Sequence, residues 1–144
     1  MSKFIIGKAE ICHLPDLGAF NLDARVDTGA RTSSLHVDNL EAVMIDKKPH
    51  VSFDLHPDFY DTKKEIHCCL PIHDTRNIKS SNGETQKRFI IQTELQLAEH
   101  TWTIEISLTN RQDMTYVMLL GREGMGKKVL VDPSGSYIAT GQDI

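Results

Sequence analysis

The chain has 144 residues, 40% of them apolar and 25% charged. That is one domain's worth of ordinary globular composition, and it excludes a disordered, collagen-like or membrane-spanning chain. With 16 basic and 20 acidic residues, a formal charge of −4 and a pI near 5.9, the surface as a whole offers no attraction for nucleic acid or anionic lipid.

From the start, Met1 to Ile11 carries one early lysine and a short apolar patch, Phe4-Ile5-Ile6, before Gly7, Lys8 and Glu10, which is no signal peptide. No run of about 18 apolar residues follows, so no spanning helix is expected. The cysteines are Cys12, Cys68 and Cys69. An odd count with two neighbours in sequence suits reduced thiols and a cytoplasmic setting.

Alternation of apolar and polar residues dominates, and helical periodicity is scarce. Leu40 to Ile45, a turn at Asp46-Lys47-Lys48-Pro49, and the alternating Val51, Phe53 and Leu55 predict a β-hairpin. His67 to Gln92 reads as a second paired stretch with Asn82-Gly83 at its tip, a dipeptide that tolerates the positive φ of a tight turn. Ile91, Thr93, Leu95 and Leu97, the turn Ala98-Glu99-His100, and Trp102, Ile104, Ile106 and Leu108 predict a third hairpin. Tyr116 to Leu120 reads as an apolar strand ending at Gly121. Val129 to Val131 and Tyr137 to Ala139 read as strands around the turn Asp132-Pro133-Ser134-Gly135. No helix longer than a turn or two is expected, and Gly121 to Lys128 is read as a turn that lacks the spacing of a nucleotide-binding loop. Many short strands predict an all-β fold, a small barrel or sandwich, in a single domain over residues 1–144.

The chemistry concentrates in Ala24-Arg25-Val26-Asp27-Thr28-Gly29-Ala30, where an apolar strand delivers an aspartate into a turn of small residues. Taken alone, Asp-Thr-Gly is more often a β-turn in which the aspartate caps its own loop. The second element is Met118-Leu119-Leu120-Gly121, two apolar residues and a glycine at a strand end. Asp27-Thr28-Gly29-Ala30 followed by Leu119-Leu120-Gly121-Arg122 resembles the retropepsin-like aspartic peptidases, in which such a strand packs beneath the catalytic turn. Ala30 to His36, Leu108 to Arg111, Met114, Val131 to Ser134 and Ser136-Tyr137 extend the resemblance over nearly the whole chain. They point to the bacterial RimB-like family labelled ATP-dependent zinc protease, some members of which are encoded beside or fused to a RimK-type glutamate ligase.

The resemblance implies an all-β small closed barrel of the retropepsin-like type with little helix, and a homodimeric aspartic peptidase with Asp27, Thr28 and Gly29 forming each half of the catalytic turn. Two carboxylates about 3 Å apart share one proton, so one can act as base on water while the other polarises the scissile carbonyl. The chain has one Asp-Thr-Gly, and in Asp132-Pro133-Ser134-Gly135 a proline replaces the small hydroxyl residue, so the pair has to come from two copies. No cofactor is expected. Zinc catalysis finds no His-Glu-x-x-His or Cys-x-x-Cys; His67, Cys68, Cys69 and His73 come closest. A cysteine nucleophile is disfavoured because Cys68 and Cys69 sit mid-strand.

Asp74 to Arg88 carries Arg76, Lys79, Lys87 and Arg88 against Asp74 and Glu84. In the resembled fold this hairpin is the flap over the substrate. Its charges read either as a solvated sheet edge or as recognition of an acidic peptide. On the second reading Arg25, Arg31, Arg76, Arg88 and Arg122 bind substrate carboxylates. The association with a glutamate ligase suggests a glutamate-rich peptide or ribosomal protein tail as the partner. A non-catalytic adaptor that holds an acidic tail or the ligase is the competing reading.

Overall fold

Strict alternation makes strands of most of the chain, because a period of two places one apolar row on the core face of each sheet. The computed structural model describes residues 2–57, 64–79, 83–110 and 115–141. In chain order the strands are β1 (Phe4–Ile6), β2 (Ala9–Leu14), β3 (Ala19–Val26), β4 (Ser33–His36), β5 (Asp38–Ile45) and β6 (Lys48–Leu55). They continue with β7 (Ile66–Pro71), β8 (Asp74–Lys79), β9 (Thr85–Leu97), β10 (His100–Thr109), β11 (Met118–Leu120) and β12 (Val129–Val131). The helical content among the described residues is a 3-10 turn at Pro15–Leu17 and α1 (Arg122–Met125).

The order β10-β4-β11-β3-β2-β9 closes on itself through β9–β10 pairing, giving a six-stranded barrel, and β8 extends β9 outward as a hairpin. Inside lie Leu22, Leu35, Ile91, Leu95, Leu97, Ile106, Leu108, Met118 and Leu120, all essentially inaccessible. The chain is all-β, as expected from alternation, and of barrel and sandwich it forms the closed barrel that the resemblance implied. The hairpin around residues 46–49 is tighter than expected: Ile45 pairs with Lys48, and Asp46 and Lys47 alone make the turn with φ of 50° and 65°. That double positive φ suits the right-handed twist of paired strands. Ala98 and Glu99 likewise suffice for the β9–β10 turn, because Leu97 already pairs with His100.

Three expectations are corrected. His67 to Pro71 does not join the hairpin tipped by Asn82-Gly83. As β7 it pairs with β6, matching Ile66, Cys68 and Leu70 against Leu55, Phe53 and Val51, so apolar rows meet in a separate three-stranded sheet β5-β6-β7. The basic hairpin is β8 with the first half of β9; Gly83 near its tip has φ of 89°, while Asn82 lies outside the described residues, as do Arg111 and Met114. Tyr137 to Ala139 is no strand: Tyr137 takes φ of 56° and donates its N–H to the Ala9 carbonyl. Finally, Gly121 to Lys128 contains one turn of helix, α1.

The C-terminal segment turns because a buried carboxylate gathers it. Glu10 is 0% exposed on β2 and accepts four hydrogen bonds, from the N–H of Gly7 (2.6 Å), Ala139 (3.2 Å) and Thr140 (3.0 Å) and the Thr140 hydroxyl (2.7 Å). Tyr137 adds its hydroxyl to Asp23 Oδ1 at 2.7 Å. Tight pairing of this kind is what a buried charge needs in order to be tolerated.

Candidate active site

Asp27 stands at the first residue past β3, where the chain leaves the barrel wall. Its N–H donates to the Leu120 carbonyl at 3.0 Å and its own carbonyl receives the Ala30 N–H at 3.2 Å. The backbone therefore turns back on itself before β4. β11 runs between β3 and β4, parallel to the first (Leu120 opposite Val26) and antiparallel to the second (Leu119 opposite Ser34). The apolar-apolar-Gly strand thus props both flanks of the Asp-Thr-Gly turn, the arrangement that the resemblance implied.

Gly121 has no room for a side chain. A Cβ there would lie 2.8 Å from the Thr32 carbonyl carbon and 3.0 Å from the Ala30 oxygen, so only glycine lets β11 end against the loop. Its N–H donates to the buried Ser33 hydroxyl at 3.0 Å. Beyond it α1 binds the loop's outer side: the Arg122 and Glu123 N–H groups donate to the Ala30 and Arg31 carbonyls at 2.8 and 3.0 Å, and Arg122 Nη1 donates to the Thr28 carbonyl at 2.8 Å. Gly29 does not need a positive φ; a side chain there would instead crowd Asp27 Oδ1, at 3.2 Å from its Cβ.

The Asp27 side chain is half-buried. Oδ1 accepts the Gly29 N–H at 2.9 Å, and among the described residues no donor reaches Oδ2. The self-capping turn and the turn that aspartic catalysis would use are therefore the same geometry, with one oxygen fixed and the other carrying spare hydrogen-bonding capacity. Asp27 lines a cleft of about 900 Å³ whose other walls include Arg25, Arg31, Ser34, Leu119 and Glu123 from the barrel and Arg76 to Lys79 from β8. The basic hairpin and the aspartate turn share one cavity.

The five arginines named from sequence fare differently. Arg25 and Arg31 are exposed cleft residues, and Arg31 Nε meets Glu123 Oε1 at 2.7 Å. Arg76 lines the cleft but is occupied: Nε contacts Asp74 Oδ2 at 2.7 Å and Nη2 lies 3.0 Å from both Glu105 oxygens. These pairings raise its pKa and hold the Asp74 carboxyl below the usual carboxylate range. Arg88 is 5% exposed, with Nε on Gln86 Oε1 at 3.1 Å and Nη1 near Ser34 Oγ at 3.5 Å, so it underlies the cleft and is not one of its lining groups. Arg122 braces the loop through Thr28. Sequence reasoning missed Ser33 and Glu123. A serine in phase with the buried Leu35 was the signal for the first.

The neighbouring candidates take structural places. Cys68 is buried and Cys69 exposed, matching one packed and one surface thiol. Burial, with a smaller contribution from Asp54, pushes the Cys68 thiol up to about 11; burial, then Glu10 and Asp23, pushes Cys12 up to about 12. Thiols held protonated in this way are poor nucleophiles. His67 Nδ1 lies 2.8 Å from Asp54 and His73 Nε2 2.8 Å from Glu105. Among the described residues no three His, Cys, Asp or Glu side chains are grouped as a metal would require, so the residues do not fit the zinc of the family label. No described helix is long and apolar enough to cross a membrane.

A closed six-stranded barrel whose Asp-Thr-Gly turn is wedged against an apolar-apolar-Gly strand defines the retropepsin-like class of protein. Residues 5–142 match the family described as RimB-like, "Retropepsin-like aspartic endopeptidase RimB". The chain belongs to that family. A protein named "Probable alpha-L-glutamate ligase" from Shewanella halifaxensis is 51% identical over 136 residues, covering 94% of this chain and 30% of that protein. One of the same name from Desulfotalea psychrophila is 42% identical over 134 residues, 93% of this chain and 29% of its own length. The chain thus spans under a third of these curated relatives. A solved structure from Legionella pneumophila, protein Lpg0085 "with unknown function", has a TM-score of 0.79 at 26% identity and covers 96% of this chain and 99% of that one.

Proposed function

We propose that the protein is an aspartic endopeptidase that acts as a homodimer, each copy supplying one Asp27, on a glutamate-rich peptide such as a ligase-modified ribosomal protein tail. The observation that carries this reading is the Asp27 carboxylate: braced through Oδ1, without a donor on Oδ2 among the described residues, and set in the wall of a peptide-sized cleft. When two such turns face each other, close carboxylates hold a single proton between them. The ionised one takes a proton from water, the resulting hydroxide adds to the carbonyl carbon, and the protonated one donates to the carbonyl oxygen. Proton return to the amine nitrogen then releases the new carboxylate and amine. Thr28 and Gly29 shape the turn, and Arg122 holds it by the Thr28 carbonyl.

Asp27→Asn should lower the rate of peptide cleavage roughly 10²–10⁴-fold, the range of a lost acid–base group, while leaving the fold and association intact. Specific activity should also fall on dilution below the dimer dissociation constant, followed by sedimentation and rate measurements. An active Asn variant, or a fully active monomer, overturns the reading. One observation favours a second reading: the relatives named glutamate ligases contain this segment within a longer chain, which suits an adaptor that presents an acidic tail to a ligase. Binding of a glutamate-rich peptide with no turnover by the wild type would select it.

A further inference from the structure

The cleft's cations divide into two sets. Arg31 and Arg76 are held by carboxylates of their own chain, Glu123 for the first and Asp74 with Glu105 for the second. Arg25 and Lys79 line the same cleft and meet no carboxylate among the described residues. Their positions are complementary. Arg25 lies near the end of β3, two residues before Asp27, and both line the cleft, with Cα atoms about 6–7 Å apart for near-extended backbone. Across the sheet Arg25 is opposite Leu119, and Leu119 is opposite Ser34, so the three form a row over the cleft floor with the arginine at its end. Lys79 ends β8 on the flap side.

We infer that Arg25 and Lys79, and not Arg31 or Arg76, read the carboxylates of an acidic substrate. An extended peptide advances about 3.3 Å per residue with side chains on alternate sides. A side chain within one or two residues of the bond over Asp27 is then within reach of the Arg25 guanidinium, and a carboxylate on the opposite side faces Lys79. Arg25 offers a planar fork suited to bidentate carboxylate binding, and Lys79 a point charge. Arg76 cannot offer its fork without giving up its contacts to Asp74 and Glu105, so its place is to hold the hairpin base against β10. The inference rests on the acidic-substrate reading above.

The test is titration of a glutamate-rich peptide, and of a glutamine-rich peptide of equal length, into Asp27→Asn protein, which separates binding from chemistry. Arg25→Gln should weaken glutamate-peptide binding roughly tenfold or more while changing glutamine-peptide binding little, as loss of a charged hydrogen-bonded pair does. Arg25→Lys should restore part of the preference, and Lys79→Gln should lose less than Arg25→Gln. Arg31→Gln and Arg76→Gln should keep the glutamate-over-glutamine ratio within about threefold of the parent, the range of an exposed pair. The inference falls if Arg25→Gln retains the full ratio, if Arg31→Gln or a folded Arg76→Gln abolishes it, or if the parent binds both peptides equally or neither. Any of these outcomes leaves the aspartic chemistry standing if wild type still cleaves a peptide in an Asp27-dependent way.

Discussion

Glu10, on β2, and Asp27, at the end of β3, are carboxylates on neighbouring strands of one barrel. Glu10 is fully buried and its two oxygens are met by four donors from the turn before β2 and from the C-terminal segment. Asp27 is half-buried, takes one N–H on one oxygen and, among the described residues, leaves the other without a donor in the cleft wall. The difference is one of remaining capacity. A carboxylate filled by its own chain has nothing to offer a proton or a substrate and can only hold structure. One left half-filled at a cavity can do chemistry, and its surroundings have to be fixed by something other than itself, here β11 and α1.

The sharpest way to break this comparison is stability. Glu10→Ala would leave buried donors without an acceptor, each costing about 1–3 kcal/mol, and we expect a loss of roughly 3 kcal/mol or more in urea denaturation at fixed protein concentration. Asp27→Asn should change the same measurement by less than about 1 kcal/mol, since the turn keeps its backbone bonds. If the two variants lose equal stability, donor count does not separate structural from functional carboxylates in this fold.

Next in size is Gly121→Ala, which tests whether the fixed surroundings of Asp27 are rigid. The added methyl meets backbone atoms of Thr32 and Ala30 at 2.8 to 3.0 Å, and overpacking against atoms that cannot rotate away costs about 1–3 kcal/mol. Because the displaced atoms belong to the loop carrying Asp27, peptide cleavage should fall by a larger factor than thermal stability alone explains. A variant crystal structure with an unmoved Thr32 and full activity would contradict it.

How far these two regions could be read from sequence differs for the same physical reason. The Asp27 region was readable because its requirements are local and chemical: a small-residue turn after an apolar strand, and a glycine where β11 must end. The all-β class was readable from alternation, which left barrel or sandwich open; the closed barrel followed from the family resemblance. The Glu10 clamp was not, although Glu10 lies in phase with the inward Cys12 and Leu14 and could have been flagged as a polar residue on an apolar row. Apart from Gly7, its partners lie about 130 positions away, and no local pattern encodes a contact of that range. The pairing of β7 with β6 was missed similarly, since either neighbour satisfies its alternation and only packing against Phe53 decides. The arginines were readable as charges but not as partners: Arg76 and Arg88 look alike in sequence, and only tertiary contacts show one bound to carboxylates and the other beneath the cleft floor.

The smallest effect expected concerns the outer part of the clamp. Tyr137 donates to Asp23 Oδ1 at 2.7 Å, and that hydrogen bond, then burial, then the Asp23 charge push its pKa from about 10 up to about 12. Raising the folded pKa means that the folded chain favours the protonated phenol. The contribution is therefore fully present below about pH 10, where the unfolded tyrosine is also protonated, and is lost as pH climbs from about 10 to about 12. The side chain is only partly buried, so solvent screening limits the contribution to about 1 kcal/mol or less. Wild type should thus exceed Tyr137→Phe by a constant small margin from pH 7 to 9 in urea titrations, and on the order of half of that margin should be gone by pH 11. Over the same range Asp27→Asn should track wild type, because among the described residues no hydrogen bond of the clamp involves the Asp27 turn. A margin that stays flat to pH 11 would mean that the phenol proton is not held by Asp23, and the C-terminal segment would then be fastened by Glu10 and its backbone bonds without help from Asp23.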